Sequence, residues 1–444
     1  MNILKTKNPG FKRELLSILG KRSRREWEDA RTAVREILKE VREKGDEALI
    51  FFTKKLDYCE IDMDEITVSQ EEIEEAYKTV EKDSIDALKR AYRNIWEFHE
   101  RQKQNSWFYF KEGSFLGQIV RPIESVGIYV PGGKAAYPST VLMNAIPARV
   151  AGVDKIYMAT PPKKDKRINP YVLAAAKMCG VDKVFRVGGV QAIAALAYGT
   201  ETVPKVDKIV GPGNIYVTLA KKELFGEVDI DMIAGPSEIA VIADETADPE
   251  FVACDLLSQA EHDERAMVVL ITDSEDFAFM VFKYIDYFIN ESKNGKFKEN
   301  IRVAKKSVEN YGIIIITQNL EEAVEIVNVI APEHLEIMAK DSREILKGVK
   351  NAGTVFLGKY SAEPIGDYVA GTNHVLPTNG TARFFSPLGV YDFVKRINVV
   401  EYSKESFGLY AKDAVKIAEC EGLLLHANSL KVRMKDVQGE VENL

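Results

Sequence analysis

Three short apolar runs between residues 125 and 215 end in a glycine turn and pass into a helical pattern: VGIYVPGG (126–133), KVFRVGGVQ (183–191) and KIVGPGN (208–214). No feature of the chain restricts its fold more. A buried strand that turns and returns through a helix leads to a next strand parallel to the first. The tripeptide Val-Asp-Lys precedes apolar residues at 153–155, 181–183 and 206–208, each time where helix gives way to strand. Chance recurrence of a tripeptide is the competing explanation, and the matching position of all three copies argues against it. The pattern predicts a βα repeat that builds a mostly parallel sheet.

A second α/β unit follows GPSE (235–238). It reads as AVIAD (240–244), a helix from Pro249 through His262, AMVVLIT (266–272), a helix around 275–290, a Lys/Asn/Gly-rich connector at 291–300 and GIIIIT (312–317). The first hundred residues are charged and helical. One helix spaces Trp27, Ala30, Val34, Ile37, Leu38 and Val41 on one side and stops at Gly45; another starts at Ser69, with Glu72 as a capping box, and runs toward His99. Residues 358–390 are rich in Gly, Pro, Thr and Asn and read as long loops, which on α/β scaffolds often carry sites. The last fifty residues return to helix.

Bulk properties exclude several classes. At 444 residues, two or more domains are expected. A net charge of -8 carries no broad basic excess, which argues against nucleic acid as the main partner. The four cysteines (Cys59, Cys179, Cys254, Cys420) lack CxxC spacing, so neither a disulfide framework nor a thiolate zinc cluster is expected. No apolar run reaches membrane-spanning length and the N-terminus lacks a signal-peptide apolar region. The expectation is a cytoplasmic enzyme that binds neither membrane nor nucleic acid.

In an open parallel sheet, ligands sit beyond the carboxyl ends of the strands. Tyr129, Gln191 and Asn214 stand beside the three glycine turns, although none of these is a GxGxxG fingerprint and glycines serving only as turn formers explain them equally well. Of five histidines, His99 ends a charged helix and reads as structural. The other four have carboxylate or amide neighbours. His262 lies three residues after Gln259, and on a helix that spacing puts two ligands on one face. His334 follows Glu333 at a helix-to-strand junction, His374 lies seven residues after Asp367, and His426 five after Glu421. Cys254 sits in apolar FVACDLL with no cation to activate it, so an inert thiol is expected. Ser237 in GPSE lacks a GxSxG setting and reads as a ligand-contacting hydroxyl or turn residue.

The stretches VGIYVPGGKAAYPSTVLMNAIPARVAGV, IVGPGNIYV, IAGPSEIAVIAD, DLLSQAEHD, APEHLEI, GDYVAGTNHVLPTNGTARFFSPLGVYDFVKR and EGLLLHA resemble histidinol dehydrogenases, in order, from about residue 25 to 430. Thr372, where the family pattern has proline, and the apolar residues between Glu421 and His426 are small departures that remove no functional side chain. The resemblance implies two incomplete Rossmann-like, aldehyde-dehydrogenase-like α/β domains with small helical extensions. Their bounds would be 1–26 for an N-terminal helical extension, 27–128 with 239–388 for the domain carrying metal and catalytic residues, 129–238 for the NAD-contacting domain, and 389–444 for a C-terminal helical arm reaching the neighbouring subunit's site. It implies oxidation of L-histidinol through L-histidinal to L-histidine, the last steps of histidine biosynthesis, with two NAD+ and one Zn2+ per site in a homodimer. By motif, Gln259, His262, Asp367 and His426 would hold zinc, and Glu333 and His334 would be the acid–base pair. Ser237, Gln259, His262, His334, Asp367, His374, Glu421 and His426 would contact substrate, and Tyr129, Gln191 and Asn214 would touch NAD+. A cysteine-dependent NAD aldehyde dehydrogenase and a zinc hydrolase are the competing readings.

Overall fold

The computed structural model describes residues 1–21, 27–132, 136–291 and 297–439. Residues 292–296 of the expected connector at 291–300 and the last glycine of the 126–133 stretch lie outside the described residues. The strands are β1 (Asn2–Lys5), β2 (Trp107–Lys111), β3 (Ser114–Pro122), β4 (Ser125–Tyr129), β5 (Lys155–Ala159), β6 (Lys183–Phe185) and β7 (Lys208–Val210). They continue as β8 (Asp229–Ile230), β9 (Glu238–Ala243), β10 (Met267–Thr272), β11 (Gly312–Ile316), β12 (His334–Met338), β13 (Thr354–Leu357) and β14 (Val394–Tyr402). The chain divides into one unit of Met1–Gln102 with Glu124–Phe393 and a second of Lys103–Ile123 with Val394–Leu444.

The first unit contains two wholly parallel sheets. One has the order β6-β5-β4-β7-β8. Counted from β4, this is 3-2-1-4-5, a doubly wound Rossmann order without its sixth strand. Each Val-Asp-Lys copy ends on the first residue of a strand, at Lys155, Lys183 and Lys208. In two copies the aspartate joins that strand to its neighbour. Asp182 accepts from the Ile156 amide of β5 at 2.9 Å, and Asp207 accepts from the Glu124 and Ser125 amides at 3.1 and 2.9 Å. The repeated tripeptide thus fixes where adjacent strands begin.

The other sheet has the order β1-β11-β10-β9-β12-β13. Counted from β9, its strands again run 3-2-1-4-5, with β1 added along the edge of β11. The strands β9 and β10 are buried along their whole length, as expected of parallel strands covered on both faces. The incomplete Rossmann-like architecture is therefore present twice.

The domain bounds differ from the expectation. The N-terminal extension opens with a strand, because β1 completes the open edge beside β11. Helix Trp27–Lys44 packs Ala30, Val34, Leu38 and Val41 into one core with Ala192, Leu196, Val217 and Leu219. Residues 27–66 consequently belong with the 125–230 sheet rather than with 239–388. The predicted helix from Ser69 to His99 is two helices, Gln70–Thr79 and Lys82–Glu100. They are separated by an extended Val80 that packs against Ile85 and Ala174. Ser69 does cap, accepting from the Glu72 amide at 3.1 Å, but the Glu72 carboxylate pairs with buried Arg186 instead of closing a capping box. His99 is structural: its Nδ1–H donates to the Ile95 carbonyl at 2.8 Å and its Nε2 meets Asn373 at 3.3 Å.

The second unit is an antiparallel sheet, β14-β3-β2, followed by helices Lys404–Cys420 and Leu424–Gly439, which pack through Val415, Ala418 and Ala427. The expected helical arm thus begins with a strand, because β14 pairs with β3 along nine residues. Among the described residues, no helix is long and apolar enough to cross a membrane.

Candidate active site

Two sites occupy the first unit. The first is a crevice of about 940 Å³ at the carboxyl ends of the 125–230 sheet, beside the point where strand order reverses between β4 and β7. Tyr129, Gln191 and Asn214, the side chains beside the glycine turns, all line it. The Tyr129 hydroxyl accepts from the Gly189 amide at 3.1 Å, and burial pushes its pKa up to about 12, so its proton stays available for a ligand. Asn214 caps helix Ile215–Leu224 by accepting from the Tyr216 and Val217 amides, each at 3.1 Å. The turn after β7 requires glycine at 211, where φ is +113° and a Cβ would stand 2.1 Å from the Tyr129 carbonyl oxygen. Behind it, the Asp231 carboxylate accepts from the Gly211 amide at 2.8 Å while the Lys221 ammonium donates to the Gly211 carbonyl at 3.0 Å.

The second site lies at the amino ends of β9 and β12. A helix between two parallel strands must run back along them, so Pro249–Ala260 brings its last turn to this end. The helix is shorter than expected, and His262 stands two residues beyond it, its amide still bonded to the Gln259 carbonyl at 3.3 Å. Gln259 is buried, and its Oε1 has no hydrogen-bond partner. A buried acceptor left this way costs about 1–3 kcal/mol unless a ligand meets it.

His334 opens β12 and is buried. Its Nδ1–H donates to the Glu238 carbonyl at 3.2 Å, which turns Nε2 toward Glu363 at 3.7 Å and Asp367 at 3.6 Å. Burial works against the charged ring, but Glu333, Asp367 and Glu363 prevail and hold its pKa above the ordinary imidazole range. Glu333 accepts from the Glu238 amide at 2.9 Å and lies 3.8 Å from His334 Nδ1. Burial raises its pKa to about 7, against the opposing pull of His334. Asp367 comes from the turn Gly366–Ala370, which Gly371 ends at φ +109°, with no room for a Cβ beside the Asn94 carbonyl. His374 returns to the same turn, donating from Nδ1 to the Asp367 carbonyl at 3.1 Å. Asp367 and His334 both lie near enough to His262 to act on its charge.

Of the residues predicted from sequence, this geometry assembles Glu333, His334, Asp367 and His374, with Gln259 and His262 at the adjoining helix end. Ser237 directly precedes β9, and its carbonyl accepts from the Met267 amide at 3.0 Å. Glu421 and His426 are exposed residues of the second unit. Sequence reasoning missed Glu363, Glu336 and Asp255. Burial raises the pKa of Glu363 to about 8 and of Asp255 to about 6, and lifts Glu336 as well. Glu336 accepts from the Glu363 amide at 2.8 Å and shares a hydrogen bond with Asp255. Glu363 stands four residues before Asp367, Asp255 four before Gln259, and Glu336 two after His334 on the same strand face; these spacings were the available signal. Among the described residues, His334, Glu363 and Asp367 form one group able to hold a metal ion, with ligand atoms within 4.8 Å of one another.

The sequence matches the histidinol dehydrogenase family over residues 20–434. The chain belongs to that family. It is 53% identical over 412 residues to a histidinol dehydrogenase of Caldanaerobacter subterraneus subsp. tengcongensis, covering 93% of this chain and 94% of the relative. To a histidinol dehydrogenase of Aquifex aeolicus it is 53% identical over 423 residues, covering 95% and 97%. The crystal structure of histidinol dehydrogenase from Elizabethkingia anophelis superposes with a TM-score of 0.92 at 38% identity, covering 99% of each chain. Membership of the histidinol dehydrogenase family makes this chain an oxidoreductase, acting on histidinol in histidine biosynthesis.

Proposed function

We propose that the chain oxidises L-histidinol through L-histidinal to L-histidine with two NAD+ at a zinc site completed by a second copy. The observation that carries this reading is His334, locked through Nδ1 on the Glu238 carbonyl with Nε2 facing two carboxylates. Zinc would be held by Gln259, His262, Asp367 and His426 of the partner subunit. The unpartnered Gln259 oxygen, an imidazole and a carboxylate are a donor set that suits this ion. The crevice with Tyr129, Gln191 and Asn214 has the size and the position for a dinucleotide. Bound NAD+ supplies the hydride acceptor, and bound zinc a Lewis-acidic anchor for the substrate's imidazole and amino nitrogens.

The chain's own side chains handle the protons. Asp367, with its charge cancelled by zinc, would no longer help to hold His334 protonated; Nε2 of the neutral ring would then take the hydroxyl proton in the alcohol step, and Glu333 and Glu363 stabilise the imidazolium it becomes. The aldehyde has no proton to give until water adds. Glu333, with a pKa of about 7, accepts the proton from that water, and His334 acts again on the hydrate. Ser237, His374 and Glu421 would contact substrate, the last from the partner's arm. Homodimerisation is supported by the apolar surface of the second unit, where Trp107, Phe110, Val400, Leu424 and Leu425 are all more than half exposed. The reaction and the acidic, CxxC-free composition fit a cytoplasmic enzyme.

The deciding experiment supplies L-histidinol and NAD+ to purified protein, with and without a chelator. Two NADH per histidine, lost on chelation and restored by zinc, is the expected result. Turnover without NADH would instead indicate a zinc hydrolase. The group of His334, Glu363 and Asp367 offers another ligand set, which Glu363→Gln tests: full zinc content in that variant supports the ligands proposed here.

A further inference from the structure

The nucleotide crevice contains an acid that neither the turn pattern nor the family motifs single out. Asp57 directly follows helix Asp46–Leu56 and lines the crevice with Tyr129 and Gln191. The Gln191 amide reaches it, with Nε2 donating to Oδ2 at 3.3 Å. That bond fixes the Gln191 orientation and leaves its Oε1 fully buried without a hydrogen-bond partner. Two acceptors therefore lie side by side in the wall, and a ligand that satisfies them must bring O–H or N–H donors.

The acid also changes what the neighbouring helix can bind. A Cβ on Gly188, the residue that caps helix Gly189–Tyr198, would lie 3.2 Å from Asp57 Oδ1. The helix end that would ordinarily attract phosphate already faces a carboxylate. Among the described residues, the cations that line the crevice are Lys163 and Lys164, on the turn after β5. Phosphates thus belong near the lysines and hydroxyls near Asp57 and Gln191. No residue of the His334 cluster lines this crevice, so the nicotinamide, which has to meet the alcohol carbon, lies toward its mouth and the adenosine half inside.

We infer that Asp57, positioned by Gln191, binds the vicinal hydroxyls of the adenosine ribose and excludes dinucleotides phosphorylated on that ribose. The inference rests on the crevice being the NAD+ site. Dinucleotide-binding folds ordinarily take such an acid from within the βαβ unit. Here it comes from a helix that precedes the whole sheet, and for that reason no motif announces it.

The test measures binding of ADP-ribose and 2′-phospho-ADP-ribose to the zinc-loaded protein. Wild type should prefer ADP-ribose. Asp57→Asn should weaken ADP-ribose about tenfold or more and reduce the preference over the phosphorylated probe at least tenfold, with an unfolding temperature no lower than wild type. Ala136→Trp, which fills the crevice, should abolish binding of both probes. If Ala136→Trp binds ADP-ribose like wild type, the dinucleotide sits elsewhere and both readings fall. If Ala136→Trp blocks binding while Asp57→Asn keeps the wild-type affinity and preference, the role of Asp57 alone is overturned.

Discussion

Lys221 and Asp231 form a buried ion pair directly behind the Gly211 turn, and each also holds one backbone group of that glycine. Neither residue lines the crevice. Together they fix the turn from which Asn214 and its helix project beside the crevice. Removing one partner of such a pair leaves a buried charge unmatched, at about 3–5 kcal/mol. Lys221→Met should lower stability by about that amount in urea unfolding. Lys221→Met with Asp231→Leu should lose less than the sum of the two single changes, and a double-mutant cycle reads the difference.

Glu333→Gln separates the two oxidations. The variant should produce one NADH per site from histidinol and fail to oxidise supplied histidinal. The pH dependence has a defined sign: Glu333 works as a base, so the aldehyde step in the parent should fall as pH drops through about 7. Equal loss of both steps in the variant would give Glu333 a different role.

Gln259→Glu should tighten zinc and weaken histidinol, because a second carboxylate lowers the ion's appetite for the substrate's nitrogens. Metal competition with a chromophoric chelator and histidinol titration read the two effects separately. Improved histidinol binding would contradict the reading of Gln259 as a deliberately weak ligand.

Glu336→Gln should stabilise the protein at alkaline pH. Burial and neighbouring Asp255 raise the pKa of Glu336, so the stability tied to its protonated form is complete below the ordinary carboxylate value and is lost as pH rises through the raised one. Glutamine keeps the shape of the protonated acid, accepting from the Glu363 amide and donating to Asp255. With saturating zinc, the variant and parent should unfold alike near pH 5. At pH 8 the variant should be more stable by about 1–3 kcal/mol.

Cys254→Ala should leave turnover within about twofold. The thiol is exposed and unpaired, and partial burial together with Asp255 pushes its pKa up, away from a reactive thiolate. A large loss would revive a cysteine-dependent aldehyde dehydrogenase.

The sequence made the supersecondary pattern legible because its signals are local. Val-Asp-Lys marks strand starts, Asn214 caps a helix, and glycine at 211 is required by a close backbone approach. His334 at the start of a strand, with Glu333 beside it, was readable for the same reason. Strand order was not legible: the attachment of β1 beside β11 joins residues about three hundred positions apart, and nothing in NILK names its partner. Helix Trp27–Lys44 displayed its apolar stripe without saying which sheet would cover it. The Glu72 carboxylate was misread as a cap because Arg186, its actual partner, lies 114 residues away. Glu336 sits inside an apolar strand, and Asp57 follows a helix that carries no ligand pattern.

The two sheets repeat one winding order yet present their chemistry at opposite poles, one beyond its carboxyl ends and the other at its amino ends. On the proposed reading, a spent coenzyme would leave by its own doorway while the half-oxidised molecule stays clasped at the other. An enzyme that must draw electrons twice from one guest gains from that layout, since changing the electron carrier need not disturb the guest.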